Sequence, residues 1–185
     1  MTKAQLTVLA GPTAVGKGTV VAALTKRYPT LNVSVSATTR DPRPGELNGV
    51  HYYFVSPQDF DAMIERGDML EWALVHGNNK YGTPRGPVDE ALNAGTPVLL
   101  EIDLAGARQV RAKRPDAQFI FLSPPSWEEL ERRLIGRGTE GAEEQARRLA
   151  TARVELDAAS EFDHVVINDD VERAVDELAR LIGLE

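Results

Sequence analysis

The sequence predicts an α/β fold in which helices flank a parallel five-stranded sheet. Short apolar runs rich in strand-forming residues alternate with segments of helical periodicity, and this alternation is typical of parallel sheets with crossover helices. A glycine-rich turn separates the first strand from the first helix, and polar residues follow several strands at the edge where such sheets bind ligands. The strands are expected at residues 5–10, 33–37, 98–102, 118–122 and 164–168.

Apolar spacing and end signals predict the helices of this core. The first helix is expected over residues 19–28, because Pro29 cannot continue it. Ser126 is the expected N-cap of a helix that begins at Trp127. Further helices are expected at residues 84–93, 104–114, 142–159 and 171–182.

Residues 36–83 interrupt the alternation and predict a small mixed insert. The segment DPRPGELN (41–48) is a loop by its proline and glycine content. HYYFV (51–55) and MLEWALVH (69–76) contain many strand-forming residues. Between them Ser56 and Pro57 begin a helix that reaches Arg66, and a glycine and asparagine turn follows the second strand.

Composition limits the possible classes of protein. The 185 residues suit one domain, and the absence of cysteine excludes disulfides and thiolate metal sites. A net charge of −7 argues against a nucleic-acid partner, which needs a basic face. No apolar stretch approaches the ~20 residues of a membrane span, and the apolar run near the N-terminus is too short for a signal sequence. We therefore expect a cytoplasmic protein with small anionic ligands.

The strongest motif is GPTAVGKGT (11–19), which matches the start of the phosphate-binding pattern G-x-x-x-x-G-K-[ST]. Glycines let the backbone curl around phosphate oxygens, the helix N-terminus attracts the same anion, and the lysine adds a full charge. Gly18 stands where the pattern has a hydroxyl, so Thr19 is the candidate Mg²⁺ ligand, directly or through water. The expected ATP-binding residues are Gly11, Pro12, Thr13, Ala14, Val15, Gly16, Lys17, Gly18 and Thr19.

A series of further motifs follows in order along nearly the whole chain. They are SVSATTRDPRPGELNGVHYYF (34–54), EWALVHGNNKYGT (71–83), EIDLAGA (101–107), PPS (124–126), GRGTE (136–140) and IND (167–169). Together with the glycine loop, this series resembles the guanylate kinases. The resemblance implies a P-loop kinase that phosphorylates GMP, and also dGMP, with ATP and Mg²⁺. It also implies a core (1–35, 84–131 and 160–185), a GMP-binding subdomain (36–83) and a helical lid (132–159).

The resemblance also implies a GMP site. Glu71 matches the carboxylate that accepts hydrogen bonds from guanine N1–H and the 2-amino group, with Ser36 and Thr83 near guanine O6. Glu101 and Asp103 match carboxylates that contact the guanine or the Mg²⁺ hydration shell. The residues implied for the GMP phosphate are Arg40, Arg43, Tyr52 and Tyr81, whose guanidinium and hydroxyl groups suit phosphate oxygens.

In the lid, Arg137 and Arg148 match arginines that close over ATP and the transferred phosphoryl group. Arg133 and Arg147 lie close in sequence and are alternatives to them, and Asn168 matches a position near adenine. The implied catalytic residues are Lys17, Arg40, Arg137 and Arg148.

The predicted transfer needs no general base, because a phosphomonoester with a second pKa near ~6 is largely dianionic at neutral pH. Two other functions stay open at this point. A guanylate-kinase-like binding module of the scaffolding type would share the fold without activity, and a kinase for another monophosphate such as AMP would share the glycine loop. Phosphoryl transfer to GMP and AMP distinguishes the three.

Overall fold

The computed structural model describes residues 4–136 and 140–185. Its strands are β1 (Leu6–Ala10), β2 (Asn32–Val33), β3 (Ala37–Thr38), β4 (Tyr53–Phe54), β5 (Met69–Val75), β6 (Asn79–Pro84), β7 (Val98–Glu101), β8 (Gln118–Ser123) and β9 (His164–Ile167). Its helices are α1 (Lys17–Arg27), α2 (Pro57–Glu65), α3 (Arg85–Asn93), α4 (Leu104–Lys113), α5 (Trp127–Ile135), α6 (Ala142–Asp157) and α7 (Val171–Ile182). None of these helices combines the length and the apolar character that crossing a membrane requires.

The central sheet has five strands in the order β2-β7-β1-β8-β9, and all its pairings are parallel. This confirms the predicted fold class. One apolar cluster joins its Leu9 and Ile120 to Leu24 of α1 and Leu178 of α7, and a second joins its Leu100 to residues of α3 and α4. The carboxyl ends of β1 and β7 therefore meet at one edge of a sheet that is covered on both faces.

A second sheet of four strands, in the order β4-β3-β6-β5, forms the insert. Here two predictions were wrong in detail. The strand expected at 33–37 is divided between β2 in the central sheet and β3 in the insert, because the chain crosses from one sheet to the other there. Strand β6 was not predicted, since NKYGTP contains glycine and proline, which are uncommon in strands. Antiparallel pairing with β5 through a turn at His76 and Gly77, both at positive φ, forms it nevertheless.

The helices mostly begin and end where their signals predicted. Ser56 and Ser126 cap α2 and α5 by accepting hydrogen bonds from the third residue of each helix. Helix α1 begins at Lys17, two residues before the predicted start, and α6 ends at Asp157 before a short 3₁₀ turn. Small apolar clusters lie within the insert and between α5 and α6, while the predicted subdomain boundaries stay predictions.

Candidate active site

The turn between β1 and α1 has a shape that depends on its glycines. A side-chain carbon at Gly11 would lie 2.5 Å from the carbonyl oxygen of Leu122, so only glycine fits there. Gly16 has a φ of 93°, in the left-handed region, and precedes the first residue of α1. The first N–H groups of a helix have no partner inside it, so a helix that starts after such a turn is well suited to bind an anion.

Lys17 is the first residue of α1, and its side chain reaches the end of a neighbouring strand. Its amine donates a hydrogen bond to the Ile102 carbonyl oxygen over 3.0 Å. Burial lowers the pKa of Lys17, and the nearby carboxylates of Glu101, Asp103 and Glu155 oppose that shift. A half-buried cation is thus held between the glycine loop and the carboxyl end of β7.

The glycine loop is supported from two other elements through one carbonyl group. Val15 accepts hydrogen bonds from the Asn168 carboxamide over 2.8 Å and from the Arg133 guanidinium over 3.1 Å. Asn168 is buried, so the structure places it against the phosphate loop. Its predicted contact with adenine stays a prediction.

Glu155 of α6 also lies beside the glycine loop, although it was not among the site residues predicted from the sequence. Burial raises its pKa, while the Thr13 backbone N–H and the Lys17 charge act in the opposite direction. Its Oε1 atom is buried without a hydrogen-bond partner in the described part of the chain. Its spacing of seven residues from Arg148, two helical turns on the same face, is the signal that could have found it.

On the acceptor side, Glu71 lies in β5 opposite Thr83 of β6. Its side chain is buried, and its Oε1 atom accepts a hydrogen bond from the Thr83 hydroxyl over 2.8 Å. Burial raises the pKa of Glu71, and the nearby Asp103 carboxylate adds to the increase. The Thr83 hydrogen bonds and the Lys113 charge act against it. Ser36 is half-buried at the start of the insert, where its carbonyl accepts from the Tyr53 N–H.

The residues predicted for the GMP phosphate form a second group in the insert. The Arg40 guanidinium lies 5.2 Å from the centre of the Tyr52 ring, and the Tyr52 and Tyr81 rings are 6.0 Å apart. Arg43 is exposed in the same loop. The structure therefore brings Arg40, Tyr52 and Tyr81 together.

Glu46 completes this group and was also missed. Its two carboxylate oxygens accept hydrogen bonds from Arg40 over 2.9 and 3.0 Å, and Oε1 also accepts from the Arg43 N–H over 2.7 Å. The Arg40 hydrogen bonds, followed by the Arg43 N–H, lower the pKa of Glu46 to about 2, and Glu46 in turn raises the pKa of Arg40. The sequence signal that could have indicated this contact is the position of Glu46, six residues after Arg40 in a proline-containing loop.

Two carboxylates lie at the carboxyl end of β7, where Glu101 is the last residue of the strand and Asp103 follows it. Glu101 is exposed, and its Oε1 atom would lie 3.8 Å from a side-chain carbon at Gly18. Asp103 caps α4 by accepting a hydrogen bond from the Gly106 N–H over 2.7 Å. A side-chain carbon at Gly106 would lie 3.0 Å from Glu71 Oε2 and 3.1 Å from Asp103 Oδ1. Residues 101–106 thus connect the glycine loop to Glu71.

The donors near the glycine loop are suited to Mg²⁺. Glu101 supplies a carboxylate and Thr19 an exposed hydroxyl on the first turn of α1. No cluster of three or more carboxylate, histidine or cysteine ligands occurs among residues 4–136 and 140–185. Mg²⁺ commonly uses one or two carboxylates together with substrate phosphates and water, so this sparse donor set fits it.

In the predicted lid, the Arg148 guanidinium donates to both carboxylate oxygens of Glu140, over 2.7 and 2.8 Å. This contact raises the pKa of Arg148. Arg137, the other predicted lid arginine, lies outside the described residues. Arg147 is exposed, whereas Arg133 contacts the glycine loop as described above.

The sequence model described as guanylate kinase matches residues 3–185. The chain belongs to the guanylate kinase family. A guanylate kinase of Leifsonia xyli is 62% identical over 177 residues, which cover 96% of this chain and 70% of that protein. A guanylate kinase of Rhodococcus jostii is 58% identical, with 97% and 87% covered. The family and the enzyme class predicted from the sequence are confirmed.

Solved structures agree with this assignment. The crystal structure of guanylate kinase from Anaplasma phagocytophilum matches with a TM-score of 0.75 and 31% identity, covering 100% of this chain and 87% of that one. The SH3-kinase fragment of tight junction protein 3 matches with a TM-score of 0.51 and 11% identity, covering 58% of that chain. At that identity the second likeness concerns the fold alone.

Proposed function

We propose that this chain transfers the terminal phosphoryl group of ATP to GMP and releases ADP and GDP. The observation that carries the proposal is the position of Glu71. This buried carboxylate and Lys17 contact opposite ends of the same short segment, residues 102–106. The Ile102 carbonyl bonds to Lys17, and Gly106, four residues later, lies against Glu71. Residues 102–106 thus link the glycine loop to Glu71, and this link supports one site for the two proposed substrates.

The Glu71 carboxylate explains the choice of guanine. Guanine presents two donors on its Watson–Crick edge, N1–H and the 2-amino group, and one carboxylate accepts both. Adenine presents an acceptor at N1, which a carboxylate repels. The Thr83 hydroxyl donates to Glu71 Oε1 in the structure. When guanine binds, we propose that the single proton of this hydroxyl turns to guanine O6, where the Ser36 hydroxyl also donates, while the guanine donors take its place at Glu71.

Arg40, Arg43, Tyr52 and Tyr81 are proposed to bind the GMP phosphate. Glu46 fixes the plane of the Arg40 guanidinium by a two-point contact, and the Tyr52 ring packs beside it. A pre-oriented guanidinium loses less side-chain entropy when phosphate binds. The same geometry accepts dGMP as a further proposed substrate, because none of these groups is assigned to the ribose.

On the ATP side, the N–H groups of residues 11–19 and the Lys17 amine are proposed to bind the phosphates. Thr19 and Glu101 would hold Mg²⁺, directly or through water, and the bound ion would neutralise charge on the phosphate oxygens. Arg148 and Arg137 are proposed to reach the transferred group, for which Arg148 exchanges Glu140 for phosphate. Asn168 is proposed to lie near adenine while it supports Val15.

The chemistry is proposed to be an in-line displacement without a general base. The attacking oxygen of the GMP phosphate carries no proton that must be removed at neutral pH. The main barrier is the approach of two anions, and Lys17, Arg40 and the lid arginines reduce it by neutralising charge. Closure of the insert and the lid is proposed to exclude water and so to prevent hydrolysis of ATP. The expected cytoplasmic location stays a prediction.

The decisive experiment measures ADP release from the purified protein with ATP and Mg²⁺ and each of GMP, AMP, CMP and UMP. We expect GMP to be the preferred acceptor by a wide margin. Equal rates with AMP would contradict the role of Glu71. No ADP release with any of the acceptors would contradict the proposed reaction and favour a binding module.

A further inference from the structure

Strand β5, which carries Glu71, is the outer strand of the insert sheet, and a core side chain occupies its other edge. The Gln109 carboxamide of α4 accepts a hydrogen bond from the Trp72 N–H over 3.0 Å and donates one to the Trp72 carbonyl over 2.9 Å. These are the same two bonds that a residue of a neighbouring strand would make. Gln109 thus takes the place of a missing strand next to Glu71.

Gln109 belongs to a row of residues along α4 that faces β5. Gly106, Gln109 and Lys113 are separated by three and four positions and therefore share one helix face. Gly106 lies against the Glu71 carboxylate, and the Lys113 amine donates to the Met69 carbonyl over 2.6 Å. Helix α4 therefore contacts β5 on both sides of Glu71.

This support lies where β5 is otherwise irregular. The pairing of β5 with β6 shifts register between Met69 and Glu71, so the ladder itself defines the backbone less firmly there. Leu70 is buried in the cluster that α3 and α4 share with the central sheet. The backbone on either side of Glu71 is thus fixed by the core, through Leu70 before it and Gln109 after it.

We propose that Gln109 is a positioning residue for guanine recognition, which rests on the proposed function. By fixing the Trp72 backbone, it holds the Glu71 carboxylate where both of its oxygens can accept from one purine edge. Two hydrogen bonds from a planar base to one carboxylate tolerate little displacement. Loss of the Gln109 contacts therefore weakens both hydrogen bonds to guanine, and a base without the 2-amino group, which makes only one of them, loses less.

The test compares GMP with inosine monophosphate, which retains N1–H and lacks the 2-amino group. The variants are Gln109→Leu, which removes both bonds, and Gln109→Glu, which keeps an acceptor for the Trp72 N–H. Gln118→Leu is the matched control, because Gln118 is also half-buried and its carboxamide accepts a hydrogen bond from Thr7 in the central sheet, away from Glu71. The values kcat and KM are measured for both acceptors, and KM also for ATP.

We expect Gln109→Leu to raise the KM for GMP about tenfold and to lower the ratio of kcat/KM between GMP and inosine monophosphate by a similar factor. The KM for ATP should stay unchanged. Gln109→Glu should lower the ratio of kcat/KM between GMP and inosine monophosphate by a smaller factor. Gln118→Leu should leave this ratio unchanged. If Gln109→Leu does not fold, the ratio of kcat/KM measured for Gln109→Glu serves as the test.

An unchanged ratio in the Gln109 variants, at whatever cost in stability, would overturn the proposal and leave Gln109 a purely structural residue. The unmodified protein is measured first. If it does not phosphorylate GMP, the proposed function fails and the role of Gln109 fails with it. If it does, an unchanged ratio counts against Gln109 alone.

Discussion

The glycine loop and the proposed guanine pocket are built in opposite ways. The loop is one continuous segment whose turn follows largely from its own glycines, while Asn168 and Arg133 add support at the Val15 carbonyl group. The pocket is assembled from residues far apart in the chain, with Glu71 and Thr83 in the insert and Asp103 and Gly106 in the core. The loop is therefore encoded locally, whereas the pocket exists only once the insert packs on α4.

The two regions also differ in how their buried charges are balanced. Lys17 has the Ile102 carbonyl as a partner and three carboxylates in its surroundings. Glu71 has the Thr83 hydroxyl, while Asp103 repels it. Three carboxylates thus offset part of the cost of burying the Lys17 cation before ATP binds. We propose that the Glu71 anion gains its main compensation from the hydrogen-bond donors of guanine. Changes in the loop should affect turnover, and changes in the pocket should affect acceptor binding.

The largest effect is expected from Lys17→Met. Removal of the charge beside the transferred phosphoryl group should lower kcat by about 100- to 1,000-fold, the usual loss for an electrostatic contact made in the transition state. Because the GMP pocket does not include Lys17, the Kd for GMP measured by calorimetry should stay unchanged.

Lys26→Met on the same helix is the control, because Lys26 is exposed and should tolerate the change without loss of activity. Turnover within a few-fold of the unmodified protein in Lys17→Met would remove Lys17 from the catalytic residues.

A smaller effect is expected from Glu71→Ala, and it should appear in the use of GMP rather than in the binding of ATP. Two charge-assisted hydrogen bonds to guanine are lost, so kcat/KM for GMP should fall by about 100-fold or more. The Kd for ATP should remain as it was, since the loop does not depend on Glu71. Steady-state kinetics and ATP calorimetry measure the two quantities.

Glu65→Ala is the control for that variant, because Glu65 is an exposed glutamate at the end of α2 in the same insert. A loss of ATP affinity as large as the loss of GMP affinity would show that Glu71 supports the whole fold, and the contrast between loop and pocket would disappear.

This contrast also explains what the sequence alone could predict. The loop, its flanking strand and helix, and the helix caps at Ser56 and Ser126 depend on neighbouring residues, so local signals were sufficient. Glu71 was predicted only through the family resemblance. Residues whose role depends on distant partners are harder to predict. Glu155 lies beside Thr13 and Lys17, but its one local signal is its spacing of seven residues from Arg148, which does not indicate those partners. Strand β6 was missed for the same reason, because β5 determines it.

The smallest effect is expected for stability in the absence of nucleotides, and it tests how the charge of Glu71 is balanced. Burial raises the pKa of Glu71 above its ordinary value of 4.5, so the folded chain binds this proton more tightly than the unfolded chain does. The contribution of Glu71 to the free energy of unfolding is therefore most favourable below pH 4.5 and declines as the pH rises from there through the raised pKa. Glu71→Gln, which cannot ionise, should lack this decline.

Urea unfolding at a series of pH values, compared between Glu71→Gln and the unmodified protein, measures the effect as a difference, so that the titrations shared by both proteins cancel. At neutral pH the free energy of unfolding should be larger for Glu71→Gln than for the unmodified protein. This difference should become smaller as the pH falls. Saturating GMP should reduce it at neutral pH, because the guanine donors then compensate the Glu71 carboxylate in the unmodified protein alone. A stability difference independent of both pH and GMP would mean that the Glu71 charge is already compensated within the fold, and the distinction between the two regions would then have to rest on geometry alone.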